Sequence, residues 1–446
     1  MSEAKDYKYI GQRSIRPDGF DKVTGRANYG ADLNLPGQIW GKILRSPHAH
    51  AKILSIDYSK AMALPGVMAV ATHDDFPSLS SEAVVAGEGT SSLLDLARNV
   101  LADDKVLYHG HAILAIAATS QALAERAVDL VEVEYEVLKP VLDILSATAE
   151  GAPILHGDMM TTGLSETPTT ASNVAARTEF KKGDVEAGFA EADLIIERDF
   201  VTPTVHQGYI EPHATTVQYD EDGQSMVWCS TQGHFDVRAS IAKLLDVSLN
   251  KLKVVASEIG GGFGGKTIVY LEPVALILSK KSGRPVKMEM TREEVFKASG
   301  PGSATRIWVK IGAKNDGTIT AMQGSMSYEA GAFKGSPAML GGMTIFTPYD
   351  VENMYAECYD VVVNKPKVAA YRAPGAPQAE FAAEMIVSEL AAKLDIDPIE
   401  FRLQNAAKEG TKTIYGPKLK AVGLVECLEA AKNSPHYQSA LKENQG

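Results

Sequence analysis

Between Gly260 and Lys266 the chain reads Gly-Gly-Gly-Phe-Gly-Gly-Lys, five glycines in the six positions before the lysine. Glycine forfeits backbone entropy and packs no side chain, so this density implies a backbone held close against something else. The strand-like segment Leu252–Ile259 runs into it and leaves the amides free to converge on an anionic or oxo-bearing ligand. Phe263 argues against a bare surface loop, because an aromatic amid glycines needs a wall to pack on. A rival reading takes Gly260-x-x-x-x-Gly265-Lys266-Thr267 as a phosphate-binding P-loop, whose pattern it satisfies after a strand. That motif needs an unbroken helix from the lysine onward, its first amides aimed at phosphate. Pro273 would break such a helix at a cost of ~3 kcal/mol. A helix starting near Glu272, with the proline in its first turn, is the better expectation.

The elements that position this loop are spread over 446 residues, enough for two or three domains with cores of their own. Hydrophobic content of 45% and charged content of 22% are those of a soluble globular protein. A net charge of −12 without a Lys/Arg cluster argues against a nucleic-acid surface. Cys229, Cys358 and Cys427 lie too far apart in sequence to suggest a disulfide pair, a zinc site or the ligand set of an iron–sulfur cluster, and fit a reducing compartment. The N-terminus has no apolar leader, and runs such as Pro273–Leu278 are too short to span a bilayer. A soluble, cytoplasmic protein is expected.

Residues 1–148 read as mixed α/β, with strands at Gln38–Leu44, Lys52–Ile56 and Val131–Tyr135 and a helix capped by Thr119 or Ser120. Residues 149–173 are rich in Thr, Ser, Gly and Pro, the composition of a linker. From 174 to 446 a second domain is expected. Strands at Leu194–Arg198, Thr215–Tyr219 and Met226–Ser230 precede a helix over Phe235–Leu245. A strand pair brackets Asn315-Asp-Gly317, and a long helix opens at Pro377 and runs to Leu394.

Several separated motifs then occur in one order: Asp21-Lys-Val-Thr-Gly-Arg-Ala-Asn-Tyr29, Arg45-Ser-Pro-His-Ala-His-Ala51, Leu64-Pro-Gly-Val67, His206-Gln-Gly-Tyr-Ile-Glu-Pro-His213, Ser230-Thr-Gln232, the glycine run, and Ala370-Tyr-Arg-Ala-Pro-Gly-Ala-Pro-Gln378. In this the chain closely resembles the molybdopterin-binding large subunit of the xanthine oxidase / aldehyde oxidoreductase family. The resemblance implies an α+β fold, an N-terminal α/β hammerhead-like domain followed by the first molybdopterin-binding domain. It implies molybdenum on a molybdopterin, in the cytosine dinucleotide form, with no protein atom as metal ligand. Gln232 would be the catalytic residue, donating its amide to the metal's oxo group, unless it merely caps the helix near Phe235. Gly261, Gly262, Phe263 and Gly264 would bind the cofactor through backbone N–H groups. Arg372 would donate its backbone N–H at the metal centre, unless it is a surface ion-pair partner. Glu211 reads as a brace for the loop.

Departures from the family pattern carry information too. Purine hydroxylases have a Glu where this chain has Thr267, and an aromatic where it has Pro374. Those two residues would line the substrate pocket, and they point away from a purine. The chain also lacks the Cys of the copper-dependent carbon monoxide dehydrogenases. It looks like the N-terminal part of a split large subunit, as in nicotinate dehydrogenase. A second molybdopterin subunit would then carry the catalytic Glu, with a 2Fe-2S subunit and an FAD subunit as further partners in a dimer of heteromers. The implied reaction is oxidative hydroxylation of a C–H carbon of an aromatic heterocycle or aldehyde, with water as oxygen source. The competing classes are a P-loop nucleotide hydrolase and a non-catalytic scaffold subunit.

Overall fold

A computed structural model describes residues 7–86 and 89–439. Before residue 148 the strands that matter are β1 (Ile39–Arg45), β2 (Val67–Ala71) and β3 (Ala112–Ala118), followed by helix α1 (Gln121–Val128). After residue 173 come β4 (Val174–Lys182), β5 (Leu194–Thr202), β6 (Ala214–Gln218), β7 (Ser225–Cys229), helix α2 (His234–Leu244) and β8 (Leu252–Ala256). Helix α3 (Glu272–Ser282), β9 (Val286–Glu289), β10 (Thr305–Ala313), β11 (Ile319–Gly331), β12 (Asn353–Val362) and helix α4 (Ala376–Lys393) complete the set.

Local chemistry explains several of these. Ser120 accepts a hydrogen bond from the Leu123 N–H at 3.3 Å and so starts α1. Pro273 occupies the first turn of α3, where its missing N–H costs nothing. β3 is buried at every position, as a central strand with both faces covered must be. Gly317, at φ 87°, closes the turn between the antiparallel strands β10 and β11.

The larger sheet has seven strands in the order β8-β7-β6-β9-β1-β3-β2. It therefore draws strands from both sides of the stretch 149–173. β1 lies parallel to β9, with Ile39 opposite Val286, and one apolar core joins Ile39, Ala115, Val227, Leu278 and Met288. The linker composition of 149–173 accordingly marks no break between cores. Nor is that stretch a free tether. The Asn173 amide donates to Ala147 O and Pro153 O at 3.1 and 2.9 Å and accepts from Leu155 N at 3.1 Å, standing in for backbone pairing. A second sheet, β5-β10-β11-β12-β4, packs under α4 around its own core of Ile307, Met326, Phe346 and Leu390. Among the described residues no helix is long and apolar enough to cross a membrane.

Candidate functional site

The glycine run leaves β8 at the edge of the larger sheet and presses on three segments of the same chain. A Cβ added at Gly260 would stand 2.5 Å from Glu211 Cβ, and one at Gly262 would stand 2.5 Å from Gln232 Oε1. At Gly264 it would meet Ala370 O at 2.7 Å, and at Gly265 Tyr209 Cε1 at 2.9 Å. The glycines are thus required largely by the chain's own close packing, not by an outside ligand alone. Gly261 and Gly264 also hold φ of 96° and 102°, which side chains rarely adopt.

Behind the loop lies a buried brace. Glu211 accepts from the Gly260 N–H at 2.8 Å, the Gly30 N–H at 3.1 Å and the Lys266 ammonium at 2.6 Å. Lys266 is fully buried, its Nζ 4.9 Å from the Tyr209 ring centroid. Burial lowers the Lys266 pKa, and the pairing with Glu211 opposes that shift. This overturns the P-loop reading: the lysine is committed inward, and the helix begins at Glu272 rather than at Lys266. Tyr209 Oη in turn bonds His213 Nε2 at 2.7 Å and Ser299 Oγ at 2.9 Å. Ser299 Oγ also meets His206 Nε2 at 2.8 Å. Burial pushes the Tyr209 phenol up to about 12 and the His206 imidazole down to about 4, and holds His213 well below its ordinary range. His206, Tyr209 and His213 are thus uncharged near pH 7.

In front of the loop the pattern changes. Gln232 accepts at Oε1 from the Gly264 N–H at 2.9 Å and the Lys266 N–H at 3.4 Å, which turns Nε2 away from the loop on an exposed side chain. It does not cap α2, whose N-cap is Gly233 with no side-chain bond. The Gly264 N–H, expected to be a cofactor donor, is therefore taken. Within the described residues no hydrogen bond occupies the N–H of Gly261, Gly262 or Phe263. The Arg372 N–H, expected to be free, donates to Phe263 O at 2.9 Å and ties the two loops together. The hydroxyl of Thr267 donates to Gly264 O at 2.9 Å, and Pro374 is half-buried beside Ala373.

The backbone is strained at this junction. Among the described residues, the non-glycine residues with positive φ are Asp246, Phe263, Arg372, Ala373 and Asp395. Asp246 and Asp395 directly follow the C-caps of α2 and α4, where the left-handed conformation is an ordinary way to end a helix. Phe263 at 52°, Arg372 at 35° and Ala373 at 65° have no such excuse, and all three are exposed, Phe263 by 48%. Each such residue costs on the order of 1–3 kcal/mol, and such outliers concentrate at ligand sites. Unpaired donors, a free amide and held strain thus share one rim. Sequence reasoning did not find Tyr209, Gln207 or Ser299 as part of the support. Gln207, whose Nε2 donates to Gly300 O and Ala370 O at 3.1 and 2.8 Å, joins segments that only the fold brings together.

Comparison with known proteins falls on the same two regions. Residues 167–406 match the family model of the molybdopterin cofactor-binding domain, and residues 24–139 that of the a/b hammerhead domain of aldehyde oxidase and xanthine dehydrogenase. The chain is 33% identical over 433 residues to the nicotinate dehydrogenase large molybdopterin subunit of Eubacterium barkeri, covering 96% of each. It is 32% identical to the xanthine dehydrogenase molybdenum-binding subunit of Escherichia coli, covering 97% of this chain and 56% of that one. Among solved structures, the aldehyde oxidoreductase of Desulfovibrio gigas superposes with a TM-score of 0.84 at 28% identity, over 95% of this chain and 46% of the other. The carbon monoxide dehydrogenase of Oligotropha carboxidovorans does so with 0.85 at 28%, over 96% and 54%. The chain thus spans nearly all of the first relative and about half of the other three.

Proposed function

Because the chain belongs to the xanthine oxidase / aldehyde oxidoreductase family of molybdopterin-binding subunits, a family of molybdenum oxidoreductases, we propose that the rim around Phe263 holds the molybdenum end of the cofactor. The residues fit such a group: the observation that carries the reading is the exposed, strained junction of Phe263, Arg372 and Ala373 beside unpaired N–H groups. Gly261, Gly262 and Phe263 would donate backbone N–H groups to the cofactor, and Gln232 Nε2 would donate to an oxygen on it whose charge changes in the reaction. Glu211 and Lys266 hold that donor set in place from behind. Thr267 and Pro374, one on each loop, would border the substrate. When bound, the cofactor supplies two-electron oxidation of a C–H carbon with water as oxygen source.

The substrate class we propose is an aromatic heterocycle or aldehyde, and the cofactor form the cytosine dinucleotide. A second molybdopterin polypeptide would carry the general-base Glu, and 2Fe-2S and FAD subunits would take the electrons away. Two relatives support a multi-subunit assembly by what they are: a "large molybdopterin subunit" and, at 33% identity, subunit gamma of a dehydrogenase complex from Paenarthrobacter nicotinovorans. We place the complex in the cytoplasm as a dimer of heteromers. Metal analysis and mass spectrometry of the purified complex test the reading. Stoichiometric molybdenum with a pterin is expected; a complex free of both, or one carrying a nucleoside triphosphate in their place, sinks it.

A further inference from the structure

Where β4 ends and β12 begins, an open cleft of about 700 Å³ lies between that end of the sheet and the hairpin 408–419. The hairpin is firmly set: the Thr413 N–H donates to Pro417 O and the Leu419 N–H to Thr411 O, each at 2.9 Å. Thr411 and Thr413 are buried, so the alternation of an extended chain turns Lys412, between them, out toward the cleft. Lys418 stands directly opposite Lys412 across the antiparallel bridge and lines the same cleft. Like charges placed opposite one another destabilise a strand pair. Lys181, Lys182 and Lys408 join them, against Asp350, Glu352 and Glu409, which leaves the cleft a net charge of +2 on a chain that carries −12. Among the described residues, Lys182 alone of the five lysines is in an ion pair, with Glu352 at 3.7 Å. Exposed lysines elsewhere, among them Lys52, Lys60, Lys243, Lys281 and Lys314, each meet a carboxylate.

We infer that this cleft docks an extended, acidic segment of a partner polypeptide. Four lysines without a carboxylate of their own, brought together from both sides of one cleft, attract and steer an anionic partner. In an extended segment successive side chains point to opposite sides, and those on one side repeat at about 7 Å. Such a segment offers carboxylates at once to Lys181 on one wall and to Lys412 and Lys418 on the other. Asp350 and Glu409 decide between kinds of anion. Both line the cleft without a cation, and a peptide backbone brings N–H donors to them. A polyphosphate has only oxygen acceptors to present and would be repelled by both carboxylates. The docking needs no cofactor, so it stands or falls separately from the function proposed above.

The test is fluorescence anisotropy of the purified full chain with labelled hexaglutamate and hexaglutamine peptides, which share length and differ in charge. Hexaglutamate should bind at least about tenfold more tightly at low salt, and rising salt should erase the difference. Lys412→Gln combined with Lys418→Gln should weaken hexaglutamate about threefold or more, the usual worth of two exposed ion pairs. Lys52→Gln combined with Lys60→Gln removes the same charge outside the cleft and should leave binding within about twofold. All four side chains are exposed, so neither pair of substitutions threatens the fold. Inorganic tripolyphosphate should displace the labelled peptide less well than unlabelled hexaglutamate does. Equal binding of the two peptides, binding of neither, a salt-independent preference, or the same loss in both double variants overturns the docking. Tripolyphosphate that competes as well as the peptide overturns it too, and gives the cleft to a small polyanion instead.

Discussion

The two sides of the glycine loop are built on opposite terms. On the buried side, Glu211 satisfies three donors at once, Lys266 is enclosed by Glu211 and Tyr209, and the histidines are held uncharged. On the exposed side, Phe263, Arg372 and Ala373 sit in backbone conformations that nothing local rewards, with unpaired N–H groups between them. Satisfaction behind and strain in front is the arrangement expected of a preorganised site: the backing supplies the rigidity that keeps the rim from relaxing. Asp246 and Asp395 make the contrast sharper, because there the same positive φ merely ends a helix.

The comparison breaks most readily at the brace. Lys266→Met would strand the Glu211 carboxylate, whose side chain is 10% exposed, beside an apolar group. A loss of about 3–5 kcal/mol in denaturant unfolding is expected. A loss under about 1 kcal/mol would show that the backing is not under load. Gln232→Ala acts on the rim, where losing one preorganised donor should cut turnover of the cofactor-loaded complex about 100-fold. Its thermal midpoint should stay close to that of the unaltered complex. Unchanged turnover would favour a non-catalytic scaffold.

Acid tests the backing without substitution. His206 and His213 both have folded pKa values below the unfolded one, His206 at about 4. For such groups stability is fully present above the unfolded value of about 6.5 and is lost as pH falls toward the folded value. Each buried histidine should contribute a slope of up to about 1.4 kcal/mol per pH unit in that window. Urea midpoints that stay flat between about pH 7 and pH 5 would mean these rings are accessible. The smallest expected effect sharpens the other half of the comparison. Phe263→Gly should relieve backbone strain and raise or hold stability within about 1 kcal/mol while lowering cofactor content. Asp395→Gly, at a helix end, should alter neither cofactor content nor turnover.

Much of the scaffold was legible in short stretches of sequence. Pro273 announced where α3 begins, Ser120 where α1 begins, and Asn315-Asp-Gly317 where β10 turns into β11. Gln232, the glycine run and Arg372 were legible as candidates because they stand in motifs. Their hydrogen bonds were not. Gly264 and Arg372 were expected to offer free N–H groups, and both turn out to be committed, to Gln232 Oε1 and Phe263 O. The stretch 149–173 read as a linker because its composition is polar and turn-rich, yet Asn173 fastens it and a sheet runs across it.

Caps, turns and helix starts depend on residues a few positions apart, so the chain determines them by itself. The same holds for family membership, which rests on which residues appear in which order. What presses on Gly264, what neutralises Lys266 and why Phe263 and Arg372 are strained depended on segments far apart in sequence meeting in space. Tertiary structure alone decided those, because a contact's energy depends on distance in space, and sequence spacing does not report that distance.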